Sequence, residues 1–567
     1  GVDAVQLNFA GQSELDAIFA DNSFTSNIDS LRADDLVINK IDMVSDGTIT
    51  LSDTNASTLL ASDLSFAAGD DITVDAANTH LSTSLKDLQK LGVDGVGLAG
   101  QDDAINLDLG NDSFSLSSGV LPTFETGLDV TLNVNNVAQL GELADLSGQS
   151  LAGMGIDNVQ LNLTGQAELN DLLNSNIGPD AAFDQQLAQL NGISLSTIDM
   201  VDTDAVHLSD TDAKALLLDG LHFASNDQIN VDVSAGNTHL STSLKDLQKL
   251  GVDAVAVAGE GVDGFNIDVG SDGTLSATGL PTFTNVDGND ITVTLNVADT
   301  AQLGQVAGLS AELAGAGIDN VEFSIASDGE LSALLSNADF SSDLDAIRNN
   351  LSLSTIDMAN NAAVSLTDSE ASTLLAEGLN FAADDSHITL QADAGSTHLS
   401  TSLKDLQKLG VDAVAVAGNE ITVDFGADGS FDLTGGVTSF LGGDNVDVTL
   451  NVDGASQAAE LANLAGVDNV DLSALGIDNV SFSFDDADLT ELLKSNSALG
   501  TDINAIQNEG VKVSGTIDLV ETDGINLTQD QAAHLLADGL HFAADDNITV
   551  DAAHTHLSTS LKDLQKL

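Results

Sequence analysis

The chain has 567 residues, of which 42% are hydrophobic, so it holds enough apolar material to bury sizeable cores. It carries 89 acidic against 14 basic residues, a formal net charge of −75 at pH 7, which disfavours nucleic acids and anionic membrane surfaces as partners and favours divalent cations. It has no cysteine, which excludes a disulfide framework, and no apolar run near the roughly 20 residues of a membrane helix, so we expect no membrane insertion.

Two origins of this acidity are open. A proteome adapted to high salt is acidic throughout, whereas an extracellular protein can carry Asp-rich turns that bind calcium. Adaptation to salt would raise Glu together with Asp, and here Asp dominates, which favours the calcium interpretation.

The segment THLSTSLKDLQKL, which we call the repeated segment, occurs at residues 79–91, 238–250, 397–409 and 555–567. It divides the chain into tandem units of about 159 residues, and tandem units indicate a repeat protein. The predicted organisation is a partial unit at 1–91 followed by repeat units at 92–250, 251–409 and 410–567. The array starts half-way through a unit, as an excised piece of a longer array would.

Each unit predicts short strands that alternate with short helices. After an alternating run that begins at Ile72, Leu81, Leu85, Leu88 and Leu91 recur at helical spacing. Gly92 follows where a left-handed C-cap is expected, and a second strand is predicted over 93–98. The same strand–helix–strand pattern covers residues 129–163.

Local capping and turn motifs fit this scheme. Thr367 with Glu370 and Thr528 with Gln531 have the spacing of capping boxes. The segments 265–275 and 421–431 resemble hairpins around an Asp-Gly turn. The predicted fold class is therefore α/β or α+β, as a tandem array of tightly packed units that is elongated and rod-like.

Eight of the fourteen basic residues are the two lysines of the four repeated segments. We predict that each pair contacts an acidic surface, either the next unit or a neighbouring chain, and so mediates self-association. The alternatives are helix chemistry, in which Lys complements the helix dipole and pairs with Asp87 or its equivalents, and recent duplication. The predicted interface residues are Lys86, Lys90, Lys245, Lys249, Lys404, Lys408, Lys562 and Lys566.

Paired acids precede a strand in three copies, Asn226 with Asp227 takes their place in the remaining one, and carboxylates in a tight turn can chelate a hard cation. Calcium is the candidate cofactor, although Asp is also an ordinary turn residue and no EF-hand loop is present. The candidate metal ligands are Asp70, Asp71, Asp227, Asp384, Asp385, Asp545 and Asp546.

No catalytic site is expected. Ser, His and Asp occur together in the repeated segment, but along one short helix they cannot converge as a triad. In its tandem units, low Lys and Arg content, lack of Cys and Trp, and Asp-rich strands, the chain resembles the repeat regions of very large secreted bacterial surface proteins and adhesins.

This resemblance implies an extracellular or cell-surface location. The favoured hypothesis is a structural repeat protein whose acidic units pack end to end and laterally into a filament, fibre or surface layer. The alternative is a calcium-stiffened adhesin segment that binds glycan or another cell surface.

Overall fold

A computed structural model gives the fold of this chain, which divides into two compact units, residues 1–291 and 292–567. The boundary lies inside one of the repeats defined by the sequence. The structure describes residues 5–21, 23–44, 47–99, 103–111, 121–144, 151–175, 193–202, 204–234, 236–257, 264–285, 291–427, 439–441, 446–466, 472–485, 489, 493, 498–508, 511–520, 524–552 and 559–567.

The strands of the first unit are β1 (Leu7–Phe9), β2 (Lys40–Met43), β3 (Ile49–Ser52), β4 (Ser65–Phe66), β5 (Ile72–Ala76), β6 (His80–Leu81), β7 (Gly95–Leu98), β8 (Ala104–Asp108), β9 (Thr123–Phe124), β10 (Asp129–Val134), β11 (Asn158–Leu163), β12 (Ser194–Met200), β13 (Val206–Ser209), β14 (His222–Phe223), β15 (Ile229–Val233), β16 (Ala254–Val257), β17 (Gly264–Asp268) and β18 (Thr282–Asn285). Its helices are α1 (Gln12–Phe19), α2 (Phe24–Ala33), α3 (Asp53–Ala61), α4 (Leu85–Leu91), α5 (Val137–Ala144), α6 (Leu151–Met154), α7 (Gln166–Ser175), α8 (Asp210–Leu218) and α9 (Leu244–Leu250).

The strands of the second unit are β19 (Thr292–Val297), β20 (Asn320–Ile325), β21 (Ser352–Met358), β22 (Val364–Thr367), β23 (Asn380–Phe381), β24 (Ile388–Gln391), β25 (Ala413–Ala415), β26 (Glu420–Asp424), β27 (Ser439–Leu441), β28 (Asp447–Val452), β29 (Asn479–Phe484), β30 (Lys512–Leu519), β31 (Ile525–Thr528), β32 (His541–Phe542) and β33 (Ile548–Asp551). Its helices are α10 (Thr300–Gly308), α11 (Ser310–Gly315), α12 (Asp328–Leu335), α13 (Phe340–Arg348), α14 (Asp368–Ala376), α15 (Leu403–Leu409), α16 (Ala455–Gly466), α17 (Ala498–Asn508), α18 (Gln529–Ala537) and α19 (Leu561–Lys566), with one 3₁₀ turn at Ala359–Asn361.

All paired strands are parallel, and successive strands of the chain belong to different sheets in several places. In the first unit the sheets have the strand orders β1-β2-β4, β3-β5-β7-β9, β6-β8-β10-β11-β12-β14 and β13-β15-β16-β18. In the second unit β19, β20, β21 and β23 lie side by side in that order, followed by sheets β22-β24-β25-β27, β26-β28-β29-β30-β32 and β31-β33. Strand order follows chain order in every sheet. Each successive stretch of strand and helix, which we call a turn of the chain, therefore packs on the one before it, as in repeat proteins.

The fold class predicted from the sequence is confirmed: helices and parallel strands alternate throughout the described residues. The strand–helix–strand prediction is confirmed by β5, α4 and β7, since β5 and β7 pair in parallel and Gly92 has the left-handed φ of 88°. Both capping boxes form, at the starts of α14 and α18.

The hairpin prediction is wrong for residues 265–275. Only β17 forms there, and no described residue after it returns as an antiparallel partner. An Asp-Gly turn favours a change of direction, but strands pair here with strands about 25 residues away rather than with their sequence neighbours. In the second segment, 421–431, residues 428–431 lie outside the described residues.

The strands carry apolar side chains on one face and short polar side chains on the other. Val159, Leu161 and Leu163 of β11 are buried, whereas Asn158, Gln160 and Asn162 between them are partly exposed. Such alternation is typical of a sheet with one face in the core and one face open. No helix in the described part of the chain is long and apolar enough to cross a membrane.

Candidate functional site: the junction formed by the repeated segment

The repeated segment starts by binding an aspartate from the preceding turn of the chain. The carboxylate of Asp53, the first residue of α3, accepts hydrogen bonds from the backbone N–H and hydroxyl of both Ser82 and Thr83, at 2.6–3.1 Å. Asp368 receives the same four bonds from Ser400 and Thr401. Asp210 accepts from the backbone N–H and hydroxyl of Ser241 and from the backbone N–H of Thr242.

These bonds shift the titration of the three aspartates. Burial alone would raise the pKa of Asp53, but the hydrogen bonds from Ser82 and Thr83 outweigh it and the pKa is lowered. The pKa values of Asp210 and Asp368 are lowered for the same reason. The ionised carboxylate is therefore the form that holds the start of each repeated segment.

The helix of the repeated segment begins at a serine that packs against a glycine of the following turn. Ser84 Oγ accepts from the backbone N–H of Asp87 and donates to its carboxylate, which caps α4. A Cβ at Gly110 would overlap Ser84 Oγ, and Gly110 also has a φ of 95°. Only glycine allows this approach. Gly270 and Gly426 contact Ser243 and Ser402 in the same way.

The first lysine of the repeated segment is buried at the junction with the following turn. The side chain of Lys86 is 1% exposed, and its Nζ lies 2.6 Å from Glu142 Oε2 of α5. Lys404 is equally enclosed, with Nζ 2.7 Å from Glu460 Oε2 of α16 and 4.7 Å from the ring centroid of Phe425. Its backbone also belongs to the junction, because Lys404 N–H donates to the carbonyl of Phe425.

Lys245 is buried like Lys86 and Lys404, and its backbone N–H donates to the carbonyl of Val269. In sequence, Gln305 stands at the position of Glu142 and Glu460. The second lysines, Lys90, Lys249 and Lys408, are exposed at the ends of their helices. The structure thus separates the predicted interface lysines into a buried set and an exposed set, and contact of either set with another chain stays a prediction.

The fourth copy of the repeated segment has the same sequence, but its helix makes fewer contacts with the rest of the described chain. Helix α19 has no buried residue, and Lys562 and Lys566 are both exposed, with Lys566 Nζ 3.0 Å from Asp563 of the same helix. Gln529 occupies the position of Asp53, and Thr559 Oγ1, equivalent to Thr83 Oγ1, is buried without a hydrogen-bond partner among the described residues.

The predicted metal ligands lie in loops, and one aspartate of each loop binds the backbone N–H at the end of an earlier strand: β2, β12, β21 or β30. Asp70 accepts from the backbone N–H of Met43 at 3.3 Å, and Asp227 and Asp385 accept equivalently from Met200 and Met358. Asp546 accepts from the backbone N–H groups of Leu519 and Ala543. The neighbouring acids differ: Asp71 accepts from the Thr48 hydroxyl, and Asp384 and Asp545 are exposed.

Carboxylates crowd around these loop aspartates. Burial raises the pKa of Asp70, and the nearby carboxylates of Asp42 and Asp94 raise it further, against the Met43 hydrogen bond. The pKa values of Asp227, Asp385 and Asp546 are raised by burial and then by their own acidic neighbours. In the described part of the chain, however, no three His, Asp or Glu side chains are arranged to hold a metal ion. Calcium binding at the seven predicted aspartates stays a prediction.

A polar depression of about 170 Å³ lies on the open side of β19, β20 and β21. Its lining includes Thr294, Asn320, Glu322, Ser352, Ser354 and Thr355. Burial raises the pKa of Glu322, and the carboxylates of Asp357, Asp384 and Asp385 add to this. In the preceding repeat the corresponding residue is Gln160, whose amide donates to Asp199 at 3.2 Å. This depression offers hydroxyl, amide and carboxylate groups to a polar ligand.

No family model, curated protein or solved structure matches the chain. Functional conclusions therefore depend on the geometry described above.

The two sets of shifted aspartates predict a maximum of stability in mild acid. The loop aspartates, with raised pKa, favour the protonated form in the fold, so stability rises as pH falls from 7 through their folded pKa values. The junction aspartates, with lowered pKa, stabilise the fold above the ordinary value of 3.8, and this contribution is lost as pH falls below it. Thermal midpoints measured against pH at fixed ionic strength should therefore rise and then fall.

Asparagine substitutions show which aspartates cause the rise of the thermal midpoint as pH falls and which cause the later fall. Replacing the loop set should flatten the rise, and replacing the junction set Asp53, Asp210 and Asp368 should weaken the acid-side fall. Four Asp→Asn changes at exposed sites control for the general loss of charge repulsion. If these controls flattened the rise of the thermal midpoint as much as the loop variants do, the rise would not come from the loop aspartates. The loop set is Asp70, Asp227, Asp385 and Asp546; the control set is Asp103, Asp272, Asp345 and Asp551.

Proposed function

We propose that this chain is a segment of an extracellular structural repeat protein whose acidic units pack end to end and laterally into a filament, fibre or surface layer. The observation that carries the proposal is the junction: the three internal copies of the repeated segment bury the same leucines and lysines between successive turns. A chain that keeps one connecting segment unchanged can be extended by adding turns without designing a new contact.

The buried and exposed lysines have different roles in this proposal. Lys86 and Lys404 join successive turns within the chain, since each contacts a glutamate 56 residues later. Lys249 and Lys408 are exposed cations on a chain with a net charge of −75, and they offer attachment points for the acidic surface of a neighbouring chain. Salt screens the repulsion between such chains and also weakens the lysine contacts, so lateral association should be strongest at intermediate ionic strength.

Negative-stain images and sedimentation over a range of ionic strengths test this function. The wild-type chain should form regular polymers, and the double variant Lys249→Glu with Lys408→Glu should form fewer lateral contacts at an unchanged thermal midpoint. The matched control changes the charge equally at exposed lysines outside the repeated segment, Lys214→Glu with Lys512→Glu, and should assemble more like the wild type. Isolated particles under all conditions would refute the filament proposal.

A calcium-stiffened adhesin segment is the second candidate. It is favoured by the crowding of carboxylates around Asp70, Asp227, Asp385 and Asp546, because a divalent cation would relieve their repulsion. The polar depression beside Glu322 could hold a hydroxylated ligand such as a glycan. Melting in calcium and in chelator separates the candidates, since a bound ion must raise the midpoint.

A further inference from the structure

The polar depression of the second unit lies on strands that closely match three strands of the first unit. Strand β21 repeats the sequence SLSTIDM of β12, and both strands shift register at the same place against their neighbours, β20 and β11. Strands β19 and β20 match β10 and β11 in the same way. On the open face the two sets differ at three positions, where Thr292, Glu322 and Ser324 replace Asp129, Gln160 and Asn162.

Glu322 takes the place of a hydrogen-bond donor. In the first unit the amide of Gln160 donates to Asn162 Oδ1 at 2.9 Å and to the carboxylate of Asp199 at 3.2 Å. An ionised Glu322 cannot donate, and it is repelled by Asp357, which stands at the position of Asp199. Among the described residues none donates a hydrogen bond to the Glu322 carboxylate. The exchange therefore replaces a bond within the sheet by a repulsion, which costs stability in the free protein.

The side chain of Asn320, also on the depression, lacks the partner that its counterparts have. In the first unit Asn158 Nδ2 donates to Asp129 at 2.8 Å, and the equivalent pair of β28 and β29 forms at 3.1 Å. Thr292 stands at the aspartate position here, and no described residue accepts from the Asn320 amide. Asn320 and Glu322 lie two residues apart in β20, so both face the depression.

The size and lining of the depression suit one small polar ligand. Its volume of about 170 Å³ equals that of five or six water molecules at ~30 Å³ each. Ser352, Ser354 and Thr355 add hydroxyl groups, and Glu322 is the only charged residue among the described residues that line it. A divalent cation favours several carboxylates. One carboxylate beside hydroxyl and amide groups instead suits a ligand with one ammonium group and several hydroxyls.

We propose that this depression binds an amino sugar, with its ammonium group on Glu322 and its hydroxyls on Asn320, Ser352 and Thr355. The ammonium group supplies the hydrogen-bond donor that the carboxylate lacks and offsets its repulsion by Asp357. The proposal rests on the second candidate function, recognition of a hydroxylated ligand, and names the class of that ligand. It does not require the chain to assemble.

Calorimetric titration of the unassembled chain with glucosamine, its amine protonated, tests the site. The wild type should bind glucosamine at least about tenfold more tightly than glucose, because a hydrogen bond between charged groups contributes a factor of that size. It should also prefer glucosamine to methylammonium, which carries the charge without the hydroxyls. Equal affinity for glucosamine and glucose, or for glucosamine and methylammonium, would overturn the proposal.

Glu322→Gln introduces the residue that stands in the first unit, and it should lower the affinity for glucosamine about tenfold. Its thermal midpoint should not fall, because the repulsion by Asp357 is removed, so lost binding cannot be ascribed to unfolding. The matched control is Glu312→Gln, which removes the same charge from an exposed glutamate of α11 and should bind like the wild type.

Binding of glucosamine to Glu322→Gln at wild-type strength would show that the carboxylate is not the recognition group and would also overturn the proposal. The filament proposal does not depend on this outcome, because polymer images test it separately. Melting in calcium and in chelator likewise tests the metal without an amino sugar.

Discussion

Leu406→Ala is expected to lower the free energy of unfolding of the second unit by about 3 kcal/mol, whereas Leu564→Ala in the fourth repeated segment should cost less than about 1 kcal/mol. Leu406 is fully buried, so its truncation removes apolar contacts and leaves a cavity. Leu564 occupies the same place in the same thirteen letters, but helix α19 buries none of its residues. Urea unfolding of the two variants measures the difference.

The comparison is sharp because local sequence is held constant. The thirteen residues and the serine N-cap are the same for both leucines, so the two positions differ in burial and in the contacts that their helices make with the rest of the chain. Equal losses at the two positions would show that the fourth segment is covered as fully as the others. Leu88→Ala and Leu247→Ala should behave like Leu406→Ala, since both leucines are fully buried.

Glu460→Ala is expected to destabilise the second unit by about 3 kcal/mol, because it leaves the ammonium group of Lys404 buried without its carboxylate. The side chain of Lys404 is 5% exposed and that of Glu460 is 29% exposed, so the lysine is shielded from solvent more completely than its partner. Unfolding in urea, followed by circular dichroism, gives the loss directly.

A double variant separates the lysine's charge from its packing. Lys404→Met with Glu460→Ala keeps the aliphatic stem and removes both charges, and it should recover most of the lost stability. Lys408→Ala, four residues further along the same helix, should change stability by less than about 0.5 kcal/mol because that side chain is exposed. If Glu460→Ala were as mild as Lys408→Ala, the buried pair would not hold the junction.

The sequence predicted those parts of the fold that depend on local chemistry. Gly92 marks a helix end because only its backbone tolerates the left-handed conformation there, and Thr367 and Glu370 cap a helix from three residues apart. Strand pairing was not predictable in the same way. The Asp-Gly turn at Asp272 and Gly273 suggested a hairpin, but Asn266 of the strand before it pairs in parallel with His239, 27 residues earlier.

The candidate site shows the same limit. The identity of the repeated segment predicted that Lys86 has a structural partner, but Glu142 lies 56 residues away and no local pattern identifies it. Asp53 binds Ser82 and Thr83 across 29 and 30 residues, and it also escaped the sequence interpretation. Its signal was present, since the first residue of that helix is Asp in three copies and Gln529 in the fourth.

Because the chain has no cysteine, thiol labelling can test directly whether the first three repeated segments are buried at junctions while the fourth is exposed. Single variants Leu85→Cys, Leu244→Cys, Leu403→Cys and Leu561→Cys place one thiol at the same position of each repeated segment. Labelled at high dilution, the first three should react at least about a hundredfold more slowly than Leu561→Cys, because only that position is open to solvent. Equal labelling rates at all four positions would contradict the account.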